Sequence, residues 1–262
     1  MSFVTTKDNV EIYYEAQGQG PVIAFISGFM GIGNIWHQQV GAFSINHRVI
    51  THDNRGYGRS GKPDAAEFYS VERHAEDLED VLIAAGVHEP IVLVTHSMGG
   101  NIATAFALKH PEQVRGIIYT GTYASGAQFV RNGVTGESLF NGVATESRSV
   151  EFFKAFGLAS DMALEAAKWS RHALRYNAQA LERYDCEDRY ISLDKPVLII
   201  QGALDVVTPV EPYATELQAA IPGAQLMVLD GINHFPQTEA PREVSASIES
   251  FIAALPPAGY CK

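Results

Sequence analysis

The chain has 262 residues, 46% of them apolar and 19% charged, a balance that can bury a sizeable core without disulfide or metal staples. Its formal net charge of −11 argues against nucleic acid, anionic membrane surfaces and highly anionic ligands as partners. The two cysteines, Cys186 and Cys261, lie in no CxxC or Cys/His cluster, so they read as free thiols in a reducing compartment.

The N-terminus lacks a basic stretch followed by a long apolar one, so no signal peptide is expected. No apolar run approaches the roughly 18 residues of a membrane span. A cytoplasmic protein is the expectation, as monomer or homodimer.

In chain order, residues 2 to 16 read as two short strands turned at Lys7-Asp8-Asn9, with Val10, Ile12 and Tyr14 alternating. The run Val22 to Ile26 is continuously apolar, as in a strand buried on both faces, and ends in the loop Ser27-Gly28-Phe29-Met30-Gly31. A helix over about 34 to 44 follows, then a strand from Arg48 to His52 and a second Gly-rich loop, Asp53 to Ser60. Ser70 caps a helix that carries Val71, Ala75, Leu78, Val81, Leu82 and Ala85 on one stripe and stops at Gly86.

Residues 91 to 111, IVLVTHSMGGNIATAFALKHP, join an apolar strand to a helix through a tight small-residue turn. Such a turn sets one side chain, here Ser97, at a strand tip beside a helix N-terminus. Gly99 and Gly100 let strand and helix approach closely. The strand from Val114 to Tyr119 comes next. Repeated strand, loop and helix predict a doubly wound α/β fold with a mostly parallel sheet, whose chemistry lies beyond the carboxyl ends of the strands.

That rhythm breaks between residues 125 and 193. Apolar residues at helical spacing over 150–156 and 163–184 predict a helical cap inserted after the sixth strand. The core domain is then 1–124 with 194–262. The rhythm resumes with the strand from Val197, followed by Gly202-Ala203-Leu204-Asp205. Thr208-Pro209 reads as N-cap and first residue of a helix running to about 221. The last strand, from Gln225, leads into Asp230-Gly231-Ile232-Asn233-His234-Phe235. A final helix spans about 242 to 255, and the tail beyond it is expected to fray.

A serine hydroxyl needs a base within hydrogen-bond reach, and the base needs an acid to fix its tautomer. The chain supplies Ser97, Asp205 and His234 in that order, each directly after an apolar run and beside glycine. Asp53, Asp230 and Glu239 are rival candidates for the acid, although Asp53 is better employed holding Arg55 or backbone amides. His96 is expected to matter through its backbone rather than its ring. The remaining histidines show no HxxxH pair, and no metal is required.

These motifs resemble those of the α/β-hydrolases along nearly the whole chain. Thr95-His96-Ser97-Met98-Gly99-Gly100 matches the nucleophile elbow. Gly202 to Asp205 and Gly231 to His234 match the acid and histidine loops, and Asp53 to Ser60 matches a D-x-R-G-x-G-x-S loop. Ser27-Gly28-Phe29 matches the oxyanion loop, with Ser27 in place of the usual histidine. Thr95 replaces the first elbow glycine. The texture of residues 27 to 40 is similar to 3-oxoadipate enol-lactonases and aminoacrylate hydrolases.

The resemblance implies acyl transfer without a cofactor. Backbone amides of Phe29 and Met98 would stabilise the oxyanion. Gly28, Met30, Trp36, Tyr123, Phe129, Trp169 and Phe235 would face a small to medium, largely apolar ester or lactone. Phe140, Phe152 and Phe156 are further aromatic candidates. The same triad would equally serve C–C hydrolysis, thioester cleavage or perhydrolysis. A hydrolase-like receptor and a cofactor-free oxygenase complete the alternatives.

Overall fold

A computed structural model describes residues 2–155 and 157–256. Phe156 and Cys261, named above, and the tail beyond residue 256 lie outside the described residues. Eight strands form one sheet in the order β1-β2-β4-β3-β5-β6-β7-β8. β1 (Ser2–Thr5) and β2 (Glu11–Gln17) form the expected antiparallel hairpin, with Asn9 at its turn at φ 65°. β2 also runs antiparallel to β4 (Arg48–His52). The other neighbours are parallel: β3 (Val22–Ile26), β5 (Ile91–His96), β6 (Val114–Thr120), β7 (Val197–Gly202) and β8 (Gln225–Leu229).

β3, β5 and β7 are buried at every position because helices cover both faces of the sheet. Each Val, Ile or Leu so enclosed contributes about 1.5–3 kcal/mol relative to exposure. The chain passes from β3 to β4 on one side and later to β5 on the other. The loops after β3 and β5 therefore meet at the point where strand order reverses, which is where such sheets place ligands.

In chain order the helices are α1 (His37–Phe43), α2 (Val71–Ala84) and α3 (Met98–Lys109). Ser70 caps α2 as expected, accepting from the Arg73 amide at 3.1 Å. Among the described residues, the α-helices between β6 and β7 are α4 (Gly126–Arg131), α5 (Gly136–Gly142), α6 (Glu146–Ala155), α7 (Ser160–Ala166) and α8 (Arg171–Arg183). Then come α9 (Thr215–Ala220), α10 (Pro236–Glu239) and α11 (Pro241–Ala254). Among the described residues no helix is long and apolar enough to cross a membrane.

Two helices differ from the sequence reading. The single helix expected over 163–184 is broken between α7 and α8, where Trp169 leaves the helix and forms a backbone bridge with Tyr57. The helix expected from Pro209 becomes regular only at Thr215. Pro212 lacks an N–H and restricts the residue before it, and Glu211 is extended at φ −100°, ψ 126°. Thr208, read as an N-cap, makes no cap bond and turns its hydroxyl elsewhere, as described next.

Candidate active site

Ser97 ends β5 with φ 53° and ψ −127°, in the left-handed region that a non-glycine residue enters at a cost of about 1–3 kcal/mol. Neighbouring strand ends hold it there. The Ser97 amide donates to Thr120 O at 2.9 Å, and the Thr122 hydroxyl donates to Ser97 O at 2.8 Å. A Cβ added at Gly99 would lie 2.5 Å from Ile26 O, and one at Gly100 would lie 2.5 Å from Thr122 Oγ1. Both glycines thus permit the close strand–helix approach. Thr95, in place of the first elbow glycine, is fully buried and donates to Ile118 O at 3.1 Å.

The loop after β3 crosses directly over this turn. A Cβ at Gly28 would lie 2.7 Å from Ser97 Cβ and 3.1 Å from Met98 N. Asn54 secures the loop by donating to Ser27 O at 2.8 Å and Gly28 O at 3.1 Å. The Ser27 hydroxyl closes it onto Ile32 O at 2.7 Å. Met30 within it has φ 57° and is buried.

Asp205 and His234 come together from the loops after β7 and β8, with Oδ2 2.8 Å from Nδ1 and both residues buried. Asp205 is surrounded by donors. Its Oδ1 accepts from the amides of Val207 (2.8 Å) and Thr208 (2.9 Å). Its Oδ2 also accepts from Gln201 Nε2 (2.7 Å) and the Thr208 hydroxyl (2.8 Å). Burial alone would raise this carboxyl's pKa. His234 and Thr208 more than offset that and hold it well below the usual carboxylate range.

Of the rival acids, Asp53 and Glu239 are engaged elsewhere, and Asp230 is exposed after β8. Asp53 accepts from the Gly33 amide at 2.9 Å and from Arg59 N and Nε at 3.0 Å. Backbone amides are thus among its partners, as expected, but Arg55 is not. Arg55 is buried and pairs with Asp8 and Asp77. Glu239 binds the amides of Asn233 and Phe235.

His96 departs from expectation. Its ring is buried, with Nε2 2.9 Å from His234 O, and it stacks on Phe235 at 4.6 Å. Burial pushes its pKa down to about 3. Gln201, Thr208, Glu239 and His96 all act on the Asp–His pair or its backbone. The sequence assigns Glu239, His96 and Thr208 to other roles and carries no signal for Gln201. The only available signal for Thr208 was a Thr three residues beyond an acidic loop residue, which equally reads as a cap.

The expected pocket residues divide. Trp36 is fully buried, with its ring on Phe25 at 5.0 Å. Tyr123 is fully buried against Phe129 at 4.2 Å, and its hydroxyl has no hydrogen-bond partner among the described residues. Phe140 lies under the guanidinium groups of Arg171 and Arg175, within the inserted helices. Trp169 donates from Nε1 to Ser149 Oγ at 3.0 Å, and Ser149 Oγ is 3.9 Å from Met30 Sδ. Phe29 packs edge-on to Tyr57 at 6.1 Å. Phe235 joins His96 to Phe153 of α6. Among the described residues no three His, Cys, Asp or Glu side chains gather as metal ligands. Cys186 is a buried free thiol.

A doubly wound sheet with a strained serine at one strand end and a buried Asp–His pair at two others defines a hydrolase-type scaffold. The model of the alpha/beta hydrolase fold matches residues 21–241, and the chain belongs to that family. It is 30% identical to the non-heme chloroperoxidase CPO-A1 of Kitasatospora aureofaciens, over 89% of this chain and 92% of that protein. It is 28% identical to RutD of Escherichia coli, over 90% of this chain and 92% of that one. Among solved structures it is similar to Est816, described as an N-acyl homoserine lactone degrading enzyme. The TM-score there is 0.81 and the identity 29%, over 95% of this chain and 100% of that one.

Proposed function

We propose that this protein is a serine hydrolase that cleaves carboxylic esters or lactones of small to medium, largely apolar substrates through an acyl-enzyme on Ser97. The observation that carries the reading is the buried Asp205–His234 hydrogen bond of 2.8 Å, brought from two strand ends to the ring of His96, the residue before the positive-φ Ser97. Esterase and lactonase neighbours on the same fold support the bond class, Est816 most directly at 29% identity.

In this mechanism His234 takes the proton from Ser97, and the serine oxygen attacks the substrate carbonyl. The amides of Phe29 and Met98 hold the oxyanion. His234 returns the proton to the leaving alkoxide, then activates water to release the acid and free Ser97. Asp205, kept ionised by its donors, holds His234 in the Nδ1–H tautomer throughout. Residues 125–193 act as a cap on the core formed by 1–124 and 194–262. Met30, Phe129, Trp169 and Phe235 give the pocket between them its apolar character.

A panel of p-nitrophenyl esters and acyl homoserine lactones, followed by pH-stat titration, tests the bond class. At least one ester or lactone is expected to turn over many times per protein. Cleavage of thioesters or diketones alone, with every oxygen ester and lactone inert, contradicts this reading.

Similarity to a chloroperoxidase favours one second reading. Hydrogen peroxide would then replace water as the nucleophile on the acyl-enzyme, releasing a peracid and free Ser97. Peracid formed from an ester and peroxide, and lost in Ser97→Ala, is its signature.

A further inference from the structure

His234 sits in a loop, and its ring is aimed only as well as the backbone beneath it. Side chains from two elements hold that backbone. Glu239, the last residue of α10, turns its carboxylate back along the chain. Its Oε2 accepts from the Asn233 amide and its Oε1 from the Phe235 amide, both at 3.0 Å. The two oxygens bracket His234 from either side in sequence. A second group holds His234 itself. His96 Nε2 lies 2.9 Å from the His234 carbonyl oxygen. A carbonyl only accepts, so this nitrogen carries the proton. The His96 ring also packs on the His234 ring, 4.8 Å between centroids.

The surroundings leave the loop little room to shift. A Cβ at Gly202 would lie 2.1 Å from Asn233 O, and one at Gly121 would lie 2.9 Å from His234 O. The inserted helices reach the same point. A Cβ at Gly157 would lie 2.4 Å from Glu239 Cδ, and Thr238 Oγ1, 3.0 Å from Phe235 O, lies 3.3 Å from Gly157 O.

We propose that Glu239 and His96 form a backbone clamp that positions the His234 imidazole between Ser97 and Asp205. The proposal rests on the serine-hydrolase reading for its catalytic consequence, not for its geometry. Neither residue touches the reacting atoms, so both are positioning residues. Glu239 acts on the backbone, whereas Asp205 holds Nδ1. The contact at Gly157 gives the insertion a direct bearing on the clamp.

The test pairs Glu239→Gln with His96→Phe. Glutamine keeps the size of glutamate but offers one acceptor oxygen to two amides. Phenylalanine keeps the stack on Phe235 and removes the donor. Each variant carries the test alone should the other fail to fold. Two readouts are taken at a temperature well below either melting point. One is kcat and KM per titrated active site. The other is the downfield proton resonance of His234 Nδ1–H, assigned by its loss in His234→Ala.

The expected result is a fall in kcat of about 10- to 100-fold, the scale of a small misplacement of a reacting group, with KM within about twofold. The resonance broadens or moves. In the His234→Ala background neither substitution changes the residual rate. Unchanged kcat and an unchanged resonance, with only the melting point lowered, overturn the clamp. A resonance disturbed in both variants of a protein whose Ser97→Ala form is fully active sustains the clamp and sinks the hydrolytic reading instead.

Discussion

The sheet core and the helices between β6 and β7 are built differently, and under the proposed mechanism the core supplies the reacting groups while those helices bear on substrate choice. In the core each chemical group is fixed by backbone at a strand end. Ser97 is pinned to Thr120 and Thr122, and Asp205 to the amides of Val207 and Thr208. The helices between β6 and β7 are short, and their apolar residues join the hydrophobic clusters of the sheet, with a few polar and backbone ties beside them. His74 on α2 lies 2.7 Å from Asn177 Oδ1 on α8, Asn177 donates to Arg55 O at 3.2 Å, and Trp169 bridges Tyr57. Substitutions in the core should therefore change kcat by orders of magnitude, and substitutions in the insertion should change KM and stability modestly.

The largest effect within this contrast is expected from Asp205→Asn. It preserves size but leaves the wrong atom facing His234 Nδ1–H. Loss of tautomer control predicts a fall in kcat of about 10⁴-fold, measured by steady-state kinetics well below the variant's melting temperature. A loss under tenfold would mean that another carboxylate supplies the acid.

Next in size is the response to acid. His52, His74 and His96 are buried, and burial lowers their pKa values to about 4, 3 and 3. Arg55 lowers His74 further, and His234 lowers His96 further. Each folded value lies below the ordinary value of about 6.5, so the unfolded chain binds more protons as pH falls. The stability these histidines confer is complete above pH of about 6.5 and is lost as pH drops towards their folded values. At pH 5 the loss is about 2 kcal/mol for each histidine. Urea midpoints at pH 7.5 and 5 should register it. Identical midpoints would show that the rings are already protonated or exposed.

The smallest effect is expected from Trp169→Phe. It removes the bond to Ser149 next to Met30 and keeps most of the packing. About 1 kcal/mol of stability and a KM raised a few-fold, with kcat nearly unchanged, are the expected outcomes. A fall in kcat beyond tenfold would place the insertion in the chemistry and erase the contrast.

The same contrast governs what the sequence reveals. The core was legible because buried parallel strands are continuous apolar runs. Gly28, Gly99 and Gly100 mark the places where backbones nearly touch, around the candidate nucleophile Ser97. Ser97, Asp205 and His234 therefore stood out by position alone. The insertion was not legible in the same way. Apolar spacing continues across the break at Trp169, so one long helix was read where α7 and α8 exist. Trp36 carried no sign of which side of its turn it would occupy. The roles of Thr208 and Gln201 escaped notice because they depend on a carboxylate that folding brings beside them. The role of Glu239 depends on the path of the loop after β8, which no local pattern encodes.

The most direct test of the central claim is pre-steady-state release of p-nitrophenol from a short ester by wild type and Ser97→Ala. An acyl-enzyme on Ser97 predicts a burst of about one equivalent per site in wild type, followed by slower turnover, and neither phase in the alanine variant. Equal turnover by both proteins would contradict Ser97 as the nucleophile, and with it the mechanism built on the Asp205–His234 pair.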